Sequence, residues 1–256
     1  MKQIKLVVCD IDGTIIDDNR IFSNNNREAF KMLKDARIRI GLASGRPLDE
    51  LTLKKDLWDL DFDFDVFIGM NGSELLDNLT GTTDEYFLLE KEWIKEINNK
   101  LINEGLNPFI YDHGKILGLR KDELLEKSAA SSEKEIVVAE SPDDFYRERN
   151  AKILVRVPKE KMHDYELYYQ KECKDKSYKA FKTQPNLLEF AHKDVSKAYA
   201  LIKYCEHNNI SLNEVCSFGD TSNDNEMLKV SKYLKHLRLN VGLMNTNRTT
   251  AHLNTV

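Results

Sequence analysis

Apolar and polar positions follow two regimes along this chain. Residues 4–9 are a short run rich in Val and Ile, stopped by Asp-x-Asp-Gly, which predicts a buried strand. Residues 24–35 predict a helix with Ala29, Phe30, Leu33 and Ala36 as its apolar stripe. Residues 38–43 predict a second strand, ended by Ser44-Gly45-Arg46-Pro47, and residues 48–57 a helix opened by Pro47. Residues 66–69 predict a third strand, followed by the turn Asn71-Gly72. Alternation of strand and helix predicts a parallel sheet.

The middle of the chain reads differently. Residues 91–103 predict an amphipathic helix around Trp93, Ile94, Ile97 and Leu101. Strands are predicted at 107–111, 116–119, 151–157, 178–182 and 187–191, and helices at 122–132, 143–148 and 159–173. Neighbouring strands without a crossover helix between them predict an antiparallel α+β module. Helix-strand alternation resumes with a helix at 197–208, a strand at 214–218 and a helix at 223–230. The expected organisation is α/β: a Rossmann-like parallel-sheet core formed by 1–81 and 184–256, with an inserted α+β domain at 82–183.

The chain of 256 residues is 32% charged and 41% hydrophobic, as expected of a soluble globular protein. Its net charge of -5 and pI near 5.8 argue against a general nucleic-acid or membrane-surface binder. The apolar run before Asp10 is too short for a signal peptide, and no stretch approaches a membrane span. Cys9, Cys173, Cys205 and Cys216 form no CxxC pair, so free thiols in a reducing cytoplasm are expected.

Three predicted strand ends carry polar clusters: Asp10-Ile11-Asp12-Gly13-Thr14, Ser44-Gly45-Arg46 and Gly219-Asp220-Thr221-Ser222-Asn223-Asp224. Each alone is ordinary turn chemistry. In an open parallel sheet, ligands bind outside the carboxyl ends of the strands, so three such ends can converge on one ligand. Asp10 and Asp12 project to the same side of an extended segment, and like charges that close need a cation or a shared proton. Asp220 and Asp224 add carboxylates, the three clusters themselves contain no His or Cys, and hard oxygen donors point to Mg2+ rather than Zn2+. Mg2+ at such a site would bind a phosphate and neutralise its charge. One Asp can attack phosphorus and the other can exchange protons with the leaving oxygen and water. The Ser44 hydroxyl and the backbone N–H groups after Asp12 are further donors, and Gly13 and Gly45 allow close backbone approach.

Together these motifs resemble the haloacid dehalogenase superfamily, most closely its Cof-type sugar-phosphate phosphatases, over nearly the whole chain. The resemblance implies a Rossmann-like core with a C2-type (C2B-like) cap inserted after the third strand. It implies that Asp10 is the nucleophile and a Mg2+ ligand. Asp12 would be the general acid/base, binding the metal through its carbonyl. Ser44, Gly45, Lys197 and Asn223 would hold the phosphoryl group, Asp220 would bind the metal directly, and Asp224 would support the metal's waters. Arg46 also matches, without a fixed role. Two features depart from the family. Ala198 follows Lys197 where Gly is usual, and Val241-Gly242-Leu243-Met244-Asn245-Thr246 resembles a family strand but arrives late.

Taken alone, Lys197 reads as a solvated helix residue, and only its spacing before Gly219-Asp220 sets it apart. Trp93, Phe109, Tyr111, Tyr165, Tyr168 and Tyr169 read as packing residues. The expected activity is a cytoplasmic phosphatase acting on small soluble phosphate monoesters, sugar phosphates or phosphorylated cofactors, as a monomer or weak homo-oligomer. A phosphomutase on the same scaffold and a non-catalytic phosphate sensor are the alternatives. A transport ATPase is disfavoured by Asp12, where such pumps carry Lys, and by the lack of spans.

Overall fold

The structure, a computed structural model, describes residues 3–17 and 19–236. Strand β1 (Leu6–Cys9) is buried at every position because parallel strands flank it on both sides: β2 (Arg39–Ala43) and β12 (Val215–Gly219). This explains its unbroken apolar run, where a half-exposed strand would alternate. Beyond β2 lie β3 (Val66–Gly69), parallel, and β4 (Glu74–Asp77), antiparallel. The seven-stranded sheet runs β13-β12-β1-β2-β3-β4-β5, with β5 (Thr82–Glu85) and β13 (Tyr233–His236) at its edges.

Helix α1 (Asn24–Asp35) starts where the Ser23 hydroxyl accepts from Asn26 N at 3.2 Å, a cap worth about 0.5–2 kcal/mol. It buries Phe30 in an aromatic cluster with Phe22, Phe62 and Phe64, and Phe22 stacks on Trp58 at 4.5 Å. The helix expected at 48–57 is two short pieces, α2 (Leu48–Thr52) and α3 (Lys54–Leu57), with Pro47 as an extended N-cap. The helix expected at 223–230 begins as a 3-10 turn, Ser222–Asp224, before α8 (Asn225–Val230).

The chain divides into two compact units, Met1–Thr83 with Ser196–Val256, and Asp84–Val195. The second holds a six-stranded sheet of order β10-β11-β9-β6-β7-β8. Its strands are β6 (Pro108–Asp112), β7 (Lys115–Gly118), β8 (Ile136–Val138), β9 (Lys152–Arg156), β10 (Tyr178–Gln184) and β11 (Leu187–His192). All neighbours are antiparallel except β7 and β8. Helices α4 (Lys91–Asn103) and α6 (Met162–Glu172) supply Ile94, Ile97, Leu101 and Tyr169 to the main core of this unit, against Ile110, Val155, Leu188 and Phe190. A smaller cluster packs α5 (Glu123–Ser132), through Leu125 and Ala129, on Phe109, Ile116 and Leu154.

The return to the first unit, expected at 184, falls instead at Ser196. The physical reason is pairing: β11 bonds to both β9 and β10, so it belongs to the second sheet. The segment expected as a helix at 143–148 is a 3-10 turn, Pro142–Tyr146. Strand β13, not expected, pairs parallel with β12 soon after Asp224, whereas residues 241–246 lie outside the described residues. Among the described residues no helix is long and apolar enough to cross a membrane.

Candidate active site

Register brings three of the polar clusters level. Cys9 pairs with Phe218 on one side and Leu42 on the other, so Asp10 emerges beside Gly219-Asp220 and Ala43-Ser44, at the carboxyl ends of three adjacent parallel strands. The Asp10 N–H donates to Phe218 O at 2.9 Å, tying this end of β1 to β12.

The fourth contributor is α7 (Lys197–His207). The Ser196 hydroxyl caps it by accepting from Tyr199 N at 3.2 Å, which makes Lys197 its first residue. A cation there opposes the helix dipole, so packing alone would not select it. Its side chain is fully buried, and Nζ donates to Asp10 Oδ1 at 2.6 Å and to Asp224 Oδ1 at 2.7 Å. Lys197 is thus not the solvated residue that its helix position taken alone suggests. Gly72 makes this approach possible. Its φ is +104°, and a Cβ there would stand 2.1 Å from Ser196 O.

Asp224 is held rigidly. Its Oδ2 accepts from Asp220 N and Thr221 N, each at 3.1 Å, while Oδ1 takes Lys197. At Gly219 a Cβ would lie 2.5 Å from Asp224 Cβ, so only glycine fits under that carboxylate. Asp220 accepts from Thr14 Oγ1 at 3.3 Å.

Asp10, Asp220 and Asp224, all buried, each offer an oxygen within 4.8 Å of the others. Three carboxylates face one ammonium here. Burial pushes Asp10 up to about 6, against the pull of Lys197 and with repulsion from Asp224 and Asp220 adding to it. Burial alone would lower Lys197, but Asp10 and Asp224 raise it and keep it charged. An all-oxygen, electron-rich pocket of this kind fits a hard divalent cation.

Asp12 stands apart from these three. Its carboxylate, half exposed, receives a two-point contact from Arg46: Nε to Oδ2 at 3.0 Å and Nη2 to Oδ1 at 2.9 Å. Burial opposes ionisation, but the Arg46 fork and its charge hold Asp12 below the usual carboxylate range. The remaining expected residues meet at Asn71. Asn71 N donates to Ser44 O at 3.0 Å, and Asn71 Oδ1 accepts from Asn223 Nδ2 at 3.2 Å. A Cβ at Gly45 would lie 3.2 Å from Asn71 Oδ1. Asn71 sits at φ 59°, a left-handed conformation that asparagine tolerates better than most residues. Sequence reasoning placed Thr14 and Asn71 in their turns without giving them a role, and did not find the Arg46 contact with Asp12. The signal available for Arg46 was its place two residues after Ser44 at a strand end, and for Asn71 the Asn-Gly pair.

The family model of haloacid dehalogenase-like hydrolases matches residues 7–235. A Streptococcus pyogenes serotype M6 protein named "putative phosphatase" is 24% identical over 89% of this chain and 84% of its own length. The Bacillus subtilis 5-amino-6-(5-phospho-D-ribitylamino)uracil phosphatase is 24% identical over 88% of this chain and 80% of its own length. A haloacid dehalogenase-like hydrolase from Bacteroides thetaiotaomicron superposes with a TM-score of 0.80 at 23% identity, covering 90% of this chain and 86% of that one. With the family model spanning both units and both ends of the acidic cluster, the chain belongs to the haloacid dehalogenase-like hydrolases.

Proposed function

We propose that the protein is a Mg2+-dependent phosphatase that hydrolyses small phosphate monoesters through a phospho-aspartate at Asp10. One observation carries this reading: a fully buried Lys197 bridging Asp10 and Asp224 beside Asp220. A buried ammonium between carboxylates orients Asp10 Oδ1 and offsets negative charge where a phosphate dianion must approach.

Asp10 and Asp220, with the Asp12 carbonyl, would hold Mg2+, and Asp224 would support its waters. Once bound, the ion neutralises phosphate charge. Asp10 attacks phosphorus, the ester P–O bond breaks, and Asp12, which must first take up a proton against the pull of Arg46, gives that proton to the departing oxygen. Water then attacks the phospho-aspartate, Asp12 takes a proton from it, and inorganic phosphate leaves with Asp10 restored. Ser44, Gly45 and Asn223 hold the transferring group. Asp84–Val195 acts as the substrate-selecting cap, so exchanging it for a relative's should change substrate ranking and leave metal dependence alone. The substrates are sugar phosphates or phosphorylated cofactors. The Bacillus relative is named for an ester on a ribityl chain, which falls in that class. Four free thiols suit a reducing compartment such as the cytoplasm.

Intact-protein mass spectrometry after acid quench tests the central step. Wild type turning over p-nitrophenyl phosphate with Mg2+ should carry one phosphoryl adduct, and Asp10→Asn none. Turnover by Asp10→Asn at the wild-type rate would refute the covalent route.

A further inference from the structure

We propose that Arg46 is the positioning residue for Asp12: its guanidinium selects the rotamer in which that carboxylate meets the leaving oxygen and the attacking water. The inference rests on the acid/base assignment of Asp12 made above.

Asp12 has a mobile side chain by default. It lies between the buried Ile11 and the half-buried Gly13, just after β1, and its side chain is 50% exposed. Among the described residues, the side-chain hydrogen bonds it accepts are the two from Arg46, one to each oxygen. One contact leaves a carboxylate free to rotate, whereas a planar fork gripping both oxygens sets χ1 and χ2 together. The fork itself is anchored. Arg46 Nη1 donates to Glu50 Oε2 at 3.1 Å, and Glu50 is buried on α2. The Arg46 backbone is held at both ends: Met70 N donates to Arg46 O at 2.9 Å, and Arg46 N donates to Ser44 Oγ at 3.3 Å.

This arrangement ties two separate tasks to one loop. The residue that clamps Asp12 also bonds the hydroxyl expected to hold the phosphoryl group. Moving one moves the other, so the distance from acid/base to phosphorus is set by the loop from Ser44 to Arg46. Misplacing a catalytic group by about 1 Å costs on the order of 100-fold.

The test compares kcat/KM for a primary alkyl phosphate, which needs protonation to leave, with that for p-nitrophenyl phosphate, which needs little. Arg46→Ala should widen the gap between the two substrates by roughly 10–100-fold, part of the usual general-acid contribution. Arg46→Lys keeps the charge without the fork and should behave like Arg46→Ala. If both variants lower the two substrates by the same factor, Arg46 serves phosphate binding and the inference is wrong. Asp12→Asn separates this from the reading beneath it. A gap that widens in Asp12→Asn but not in the Arg46 variants overturns the Arg46 role alone. A gap unchanged in Asp12→Asn overturns the acid/base assignment and the Arg46 role with it. Should Arg46→Ala fail to fold, Arg46→Gln and Arg46→Lys read the same ratio.

Discussion

The Lys197 ammonium lies 2.6 Å from Asp10 Oδ1, and no part of the lysine side chain reaches solvent. Taking an ammonium out of water is costly unless carboxylates replace the lost hydration, and here Asp10 and Asp224 do so. Lys197→Met should therefore destabilise the fold by about 3–5 kcal/mol at neutral pH, because it strands two buried carboxylates. The loss should shrink at lower pH, where Asp10 can neutralise by protonation. Urea unfolding across pH measures it. An unchanged midpoint at neutral pH would mean that the pair contributes nothing to folding.

Metal affinity should weaken as pH falls. Burial raises Asp10 to about 6, so below that value a proton competes with the cation for the same oxygens. Apparent Mg2+ affinity should drop by up to about tenfold per pH unit below this point, and level off above it. The sign for stability without metal is opposite. A folded-state value above the ordinary 3.8 means that the folded protein holds this proton more tightly. The Asp10 contribution is thus fully present below about 3.8 and is lost as pH rises through about 6. Calorimetric Mg2+ titration from pH 5 to 8 checks the first claim, and urea midpoints in EDTA check the second.

Asn71→Gly keeps the left-handed backbone without steric cost and removes the side chain that holds Asn223. Losing that bond should raise KM and the inhibition constant of vanadate by roughly 2–10-fold, the range of one ordinary hydrogen bond. Steady-state kinetics with vanadate inhibition would show this. Equal inhibition in variant and wild type would mean that Asn223 is oriented without Asn71.

Gly72→Ala should disturb the site from a distance. The added methyl would meet Ser196 O at 2.1 Å in a backbone conformation that disfavours a side chain. The expected result is a folded protein, destabilised by more than about 1 kcal/mol, with reduced kcat because α7 presents Lys197 less well. Thermal unfolding and turnover on one preparation would decide it.

Much of the site was legible because strand ends announce themselves. The run from Leu6 to Cys9 is buried on both sides; one polar cluster after such a run is ordinary turn chemistry, whereas three at neighbouring strand ends are not. What stayed hidden depends on partners. Leu187–His192 reads as a strand in either sheet, and periodicity says nothing about which neighbour it bonds, so the boundary was placed too early. Glu74–Asp77 and Thr82–Glu85 are four residues each and partly polar, below what a periodic pattern can mark. The grip of Arg46 on Asp12 spans 34 positions and has no local signature. Lys197 was legible only through spacing, since its burial is created by Asp10 and Asp224 arriving from other elements.

The pairing of β1 with β12 sets a schedule for biosynthesis. Asp10 and Lys197 are 187 positions apart, with the whole of Asp84–Val195 translated between them. At about 5–20 residues per second, roughly 10–40 s separate the two on the ribosome. During that interval β1 has one neighbouring strand instead of two, and its apolar residues lack half their final cover. A nascent chain in that state is a natural client for chaperones, while the inserted unit is free to fold first on its own contacts.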